Sequence, residues 1–202
     1  MENAHYPITP ERFWAVLASE LARDFEKNPK QMVDKFCDDQ KWTDYMIDLL
    51  DRMGQEKFAC TVMSRNTEKE FWPKVDVAYF DKGGDNWGPW AWEAAIEHEN
   101  NDWHEECHKL LLLNAGLKVV VGYWSDEDEL KKDLLDFTEF YRSRKYHQEK
   151  ENWLMIFGPT TNLWRNHNYR AYRFDGNELH EITGKKVVIS AAAKRCLEDL
   201  VS

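Results

Sequence analysis

The stretch FWPKVDVAYFDKGGDNWGPWAWEAAIEHEN, residues 71–100, joins two apolar runs that carry acidic residues at regular spacing. The first run predicts a strand over Lys74–Phe80, and the second predicts a strand over Trp90–Glu99. Between them, residues 81–86 are rich in Gly, Asp and Asn, which favour a hairpin or a longer loop. The stretch therefore predicts two neighbouring strands, around which the rest of the chain is organised.

Three carboxylates lie at positions where these two strands can bring them together. Alternation along the first strand places Asp76 on the face opposite its large apolar residues, which are Val75, Val77 and Tyr79. In the second strand, Glu97 and Glu99 share a face. Like charges held close in a half-buried place repel each other unless a cation neutralises them, so the trio predicts a site for a hard divalent metal.

The flanking segments predict an α/β protein with a mixed sheet. Apolar periodicity and capping residues predict helices over residues 9–28, over one or two segments of 30–56 with a stop at Gly54, and over 103–114, 125–151 and 190–202. Further strands are predicted over residues 57–64, 117–124, 153–157, 169–174 and 179–183, with a short one from Lys186. Helices on both sides of such a sheet form three layers.

Composition sets limits on the fold and on the partners. A chain of 202 residues with 43% hydrophobic residues is expected to form a single domain over residues 1–202. Four dispersed cysteines without a CxxC pair argue against a disulfide scaffold or a zinc ribbon. We expect a cytoplasmic protein, since no apolar run has the length of a membrane span and the N-terminal segment lacks the pattern of a signal peptide.

The net charge of -10 argues against a polyanionic partner, but the charge is unevenly distributed. Residues 141–202 hold 11 Lys and Arg against 7 Asp and Glu. Within them, Arg165, Arg170 and Arg173 alternate with aromatic residues, and no acidic residue occurs between Asn162 and Phe174. This pattern is typical of a segment that follows phosphates and stacks on bases, although cationic residues also protect an edge strand.

The segments PKVDVAYFD and AIEHEN, followed by a helix and the strand LKVVVGY, resemble the PD-(D/E)XK nuclease superfamily in its ExE variant. The resemblance implies a restriction-endonuclease-like core of three layers and a nuclease that hydrolyses phosphodiester bonds, in DNA rather than RNA. It implies Mg²⁺, or Mn²⁺, held by Asp76, Glu97 and the main-chain carbonyl of His98. Whether the chain forms a homodimer is left open.

Glu99 occupies the place where that superfamily usually has Lys, so the resemblance leaves open whether the site is active. Glu99 could act as a general base or as a ligand to a second metal. A cation from elsewhere, such as Lys74 or Lys118, could replace the missing Lys.

Two other functions are consistent with the sequence. His104-Glu105-x-x-His108 matches the HExxH pattern of zinc peptidases, but charged residues surround the motif and it lies in the first turns of its helix. The chain could also be a catalytically silent member of the nuclease fold that binds nucleic acid or a protein partner.

Overall fold

The computed structural model describes residues 7–65, 74–81, 92–99, 103–143, 152–160, 168–187 and 189–201. Within these ranges the helices are α1 Pro10–Lys27, α2 Pro29–Phe36, α3 Asp39–Glu56, α4 Trp103–Leu111, α5 Glu127–Ser143 and α6 Ala191–Val201. The strands are β1 Thr61–Ser64, β2 Val77–Phe80, β3 Trp92–His98, β4 Lys118–Trp124, β5 Trp153–Pro159, β6 Arg170–Phe174 and β7 Leu179–Glu181. No helix of the described chain is long and apolar enough to span a membrane.

The seven strands form one mixed sheet whose spatial order follows the chain from β1 to β7. The pairs β1–β2 and β2–β3 are antiparallel, β3–β4 and β4–β5 are parallel, and β5–β6 and β6–β7 are again antiparallel. Parallel neighbours need a crossover, and α4 and α5 supply the two crossovers. The carboxyl ends of β3, β4 and β5 therefore lie at one edge of the sheet.

Helices cover both faces of the sheet. One buried cluster joins α1, α2, α3 and α6 to side chains such as Val77 and Ile96. A second cluster joins α4 and α5 to alternate positions such as Ala78 and Ala95. The predicted α/β class with a mixed sheet between helices is thus confirmed, and the more specific restriction-endonuclease-like core stays a prediction.

The helix starts follow local chemistry. Thr9 caps α1 through a hydrogen bond of 3.2 Å from the Arg12 N–H to its hydroxyl, and Pro10 occupies the first turn. Asp38 caps α3 in the same way, accepting from the Lys41 N–H at 3.0 Å. Capping side chains therefore mark where α1 and α3 begin.

Several predicted boundaries were wrong. The strand predicted over Lys74–Phe80 begins only at Val77, because the chain bends at Asp76, and the helix predicted over residues 103–114 ends at Leu111. The first strand begins at Thr61 rather than Lys57, because Ala59 adopts a φ of 56° and breaks the extended backbone. No strand occurs within residues 185–187 or 189–190. Helix α3 does not stop at Gly54 but continues to Glu56, and Gly54 packs against the sheet within the helix.

Gly54 lets α3 approach the sheet closely. A Cβ atom at this position would lie 2.6 Å from Cε1 of Tyr79 and would also collide with Val62. We therefore expect Gly54→Ala to lower the free energy of unfolding by about 1–3 kcal/mol through overpacking, despite the better helix propensity of alanine. Urea denaturation measures this, with Gln55→Ala on the exposed side of α3 as the control. A stabilised Gly54→Ala variant would contradict this account of the packing.

Candidate functional site

Asp76 and Glu97 lie opposite each other where β2 begins and β3 ends. The register pairs Val77 with Ile96, so the next pair outward is Asp76 and Glu97, whose side chains share the face covered by α4. The Asp76 N–H donates to Oε2 of Glu97 at 3.2 Å, and the His98 N–H donates to Oδ2 of Asp76 at 2.9 Å. Each carboxylate is thus oriented by the main chain of the other strand.

Helix α4 brings a cation to this pair. The helix crosses back over β3, and Lys109 places its Nζ 3.1 Å from Oε1 of Glu97. Lys109 also forms an ion pair with Glu106, one turn earlier on the same helix. The Lys109 ammonium therefore bridges the carboxylates of Glu97 and Glu106, on the same face of the sheet as Asp76.

Glu97 is the most buried of these carboxylates, with 2% of its surface exposed. Burial, and then the neighbouring charges of Asp76 and Glu106, raise the pKa of Glu97 to about 9, against the opposing effect of Lys109. Although burial alone would lower the pKa of Lys109, the carboxylates of Glu106 and Glu97 raise it. Oε1 of Glu97 accepts no well-directed hydrogen bond from the described residues, even though the Lys109 ammonium is near.

A second cation flanks Asp76. Arg65 follows β1, and its Nη1 lies 3.4 Å from Oδ1 of Asp76. The Arg65 N–H also donates to the Asp76 carbonyl at 3.1 Å, which continues the β1–β2 pairing by one residue. The two acidic side chains that the sequence singled out are thus each accompanied by one basic side chain.

The donor chemistry of the pair fits Mg²⁺ or Mn²⁺. Mg²⁺ is usually bound by one or two carboxylates, with water and substrate phosphate completing its coordination, and Asp76 and Glu97 supply two. The oxygen Oε1 of Glu97, buried and without a well-directed donor, is suited to a cation. No group of three His, Cys, Asp or Glu side chains in the described residues is arranged to hold a metal by itself.

The roles predicted for Glu99 and for the His98 carbonyl stay predictions. Glu99 follows β3, is half-buried, and donates its N–H to the Val121 carbonyl at 2.9 Å. It forms no metal-binding group with Asp76 and Glu97 in the described chain.

Neither lysine that the sequence suggested as a replacement cation is the one beside Glu97. Lys118 is 1% exposed, and its Nζ lies 5.2 Å from the centre of the Trp153 ring. Lys74 is exposed. The lysine beside Glu97 is Lys109, which the sequence analysis did not identify. The available signal was the spacing Glu106-x-x-Lys109 on the helix that directly follows the second acidic strand.

The predicted nucleic-acid contacts lie on and before β6. Arg165 lies outside the described residues. Arg170 forms an ion pair with Glu127 at 3.0 Å and lies over the Trp124 ring. Arg173 forms one with Glu11 at 3.3 Å. A polyanion would have to compete with these acids, and the role of the three arginines in binding nucleic acid stays a prediction.

The geometry of α4 speaks against the zinc alternative. The His104 ring stacks on Trp103, with centroids 4.0 Å apart, and the His108 ring stacks on Phe140 of α5 at 4.4 Å. Glu105 is exposed. The two imidazoles stack on different aromatic rings and no third ligand lies near them among the described residues, so the geometry gives this alternative no support and it stays a prediction.

Comparison with models of known protein families, with curated proteins and with solved structures finds no match to this chain. The function is therefore inferred from the geometry of the chain's own residues.

The raised pKa of Glu97 is open to direct measurement. We expect one side-chain carboxyl resonance to titrate near pH 9 in ¹³C NMR spectra, and to be absent from Glu97→Gln. Because this folded-state pKa lies above the ordinary value of 4.5, the stability that the group contributes is complete below about pH 4.5 and is lost as the pH rises through 9. Glu105→Gln, at an exposed carboxyl of α4, is the control. Titration of every carboxyl below pH 6 would contradict the site's electrostatics.

Proposed function

We propose that this protein is a divalent-metal-dependent nuclease that hydrolyses phosphodiester bonds in DNA. The observation that carries the proposal is the pair of half-buried Asp76 and buried Glu97, placed opposite each other with the Lys109 ammonium beside Glu97. Paired acidic residues at a strand edge with an adjacent cation match the requirements of phosphoryl chemistry, which needs positioning and charge stabilisation. The resemblance of the PKVDVAYFD and AIEHEN segments to PD-(D/E)XK nucleases points the same way.

The residues divide the work as follows. Asp76 and Glu97 would hold Mg²⁺, and the His98 N–H orients Asp76 through the bond to Oδ2. When bound there, the ion would supply Lewis acidity for attack of water on a phosphodiester. Lys109 holds positive charge beside the pair, where it stabilises the negative charge that develops on the phosphate. Glu99, at the same end of β3, is the proposed general base.

Lys109 supports the proposal because it supplies a positive charge near the site, which Glu99 does not. The superfamily that the sequence resembles usually has Lys at the position of Glu99, and here an ammonium reaches Glu97 from α4 instead. A cation does not need to come from the strand to act at this site, since only the position of its charge matters. The Lys109 side chain is half-exposed, so a phosphate can approach it.

The catalytically silent alternative has one observation in its favour. Asp76 and Glu97 are already accompanied by Arg65 and Lys109, so their charges are partly neutralised without a metal. A fold that needed only to be stable could retain such a cluster. In that case the chain would bind nucleic acid or a protein partner without cleavage.

A cleavage assay separates the two functions. Labelled single-stranded and double-stranded DNA and RNA are incubated with the protein in Mg²⁺ or Mn²⁺. We expect wild type to cleave DNA, and Asp76→Asn, Glu97→Gln and Lys109→Met each to lose at least about 100-fold in rate, because each removes a group that binds metal or stabilises charge.

Lys131→Met is the matched control. Lys131 also bridges two acidic residues of its own helix, Glu127 and Asp128, but it lies on α5 and is exposed. We expect this variant to retain wild-type cleavage. Absence of metal-dependent cleavage by wild type, or equal cleavage by all variants, would overturn the nuclease proposal; binding of labelled DNA without cleavage would favour the silent alternative.

A further inference from the structure

The His98 imidazole lies on the opposite face of the sheet from the candidate site. It is 4% exposed, and its Nε2 lies 2.8 Å from the Tyr123 hydroxyl of the neighbouring strand β4. The two rings pack edge to face, with centroids 5.6 Å apart. The sequence alone does not predict this contact, because it joins residues 25 positions apart.

Tyr123 is held in turn by α3. The Trp42 indole N–H of α3 donates to the Tyr123 hydroxyl. An indole nitrogen can only donate, so the phenolic oxygen accepts from Trp42, and a second hydrogen bond joins the same hydroxyl to Nε2 of His98. Burial first, and then the Arg65 charge, lower the pKa of His98 to about 3, so the ring is neutral at physiological pH. The hydrogen bonds therefore run from α3 through β4 to β3.

The main chain of the same residue points to the site. The His98 N–H donates to Oδ2 of Asp76 at 2.9 Å. His98 is the last residue of β3, where a strand is least constrained by its neighbours. A fixed imidazole on one face of the sheet would fix this N–H, and with it the orientation of Asp76, on the other.

The second ring nitrogen shows that the imidazole is not simply a filler of the core. Nδ1 of His98 is buried and has no hydrogen-bond partner among the described residues. An unpaired buried polar atom costs stability, and an apolar side chain of similar size would avoid that cost. The bond from Nε2 to Tyr123 is what a leucine or phenylalanine could not provide.

We propose that His98 is a positioning residue of the candidate site, anchored by Tyr123 and Trp42 behind the sheet so that its N–H orients the Asp76 carboxylate. This inference rests on the proposed nuclease function for its purpose, but the anchoring itself does not depend on metal or substrate. Residues outside a metal's own ligands commonly orient those ligands and are needed for full affinity.

Amide hydrogen exchange, followed by NMR in the absence of metal, tests the anchoring. Tyr123→Phe keeps the ring and removes the hydroxyl. We expect exchange at the His98 amide to accelerate by about tenfold or more. The Ala95 amide, which donates to the Leu117 carbonyl earlier in the same strand, is expected to keep its wild-type rate. Asp76→Ala, which removes the acceptor itself, shows the exchange rate of the unprotected His98 amide.

Tyr45→Phe is the matched control. Its ring stacks on the same Trp42, and its hydroxyl donates to Asp24 at 3.0 Å, away from β3. We expect it to leave His98 exchange unchanged. Equal acceleration at Ala95 and His98 in Tyr123→Phe would show general destabilisation and overturn the inference, as would an unchanged His98 rate.

A second readout applies to the active protein. We expect Tyr123→Phe to raise the Mg²⁺ concentration for half-maximal cleavage by about 10-fold, with kcat at saturating Mg²⁺ within about threefold of wild type. An unchanged Mg²⁺ requirement would overturn the positioning role. If wild type cleaves nothing, the nuclease proposal fails, while the exchange experiment still decides whether Tyr123 anchors His98.

Discussion

The burial of the Glu97 carboxylate is the constraint on which the candidate site depends. A carboxylate taken out of water is destabilising unless it is protonated or paired. Here Asp76 lies directly opposite, and the like charges of the two carboxylates repel each other. The Asp76 N–H, which donates to Glu97, and the nearby Lys109 ammonium offset part of this cost. A bound divalent cation would lower the cost further, and this links the electrostatics of the site to its proposed chemistry.

The topology explains how so few residues form this arrangement. The antiparallel pairing of β2 and β3 sets the two carboxylates opposite each other, and the parallel pairing of β3 and β4 requires a crossover helix. That helix is α4, which returns over the acidic face and delivers Lys109. On the other face, α3 packs against the sheet: Gly54 allows a close approach to Tyr79 of β2, and Trp42 donates a hydrogen bond to Tyr123 of β4. Both helical layers thus contribute to the geometry around one strand end.

Sequence alternation and capping predicted the elements and the meeting of Asp76 with Glu97, because both depend on local periodicity. The alternation failed at Val75, which packs with the α4 layer, since the chain bends at Asp76 before β2 begins. Lys109 could not be assigned to the site from the sequence, because its reach depends on how α4 packs against β3. Gly54 was misjudged for the same kind of reason: its tertiary contacts outweigh the local tendency of glycine to end a helix.

The central claim is that Asp76 and Glu97 together bind a divalent cation. Isothermal titration calorimetry of Mg²⁺ into the purified protein tests it most directly, with Asp76→Ala and Glu97→Gln as comparisons and Glu105→Gln as the control. The account predicts one Mg²⁺ bound per chain with millimolar or tighter affinity, lost in the first two variants and kept in the third. Equal binding by all four proteins, or no binding by wild type, would contradict it.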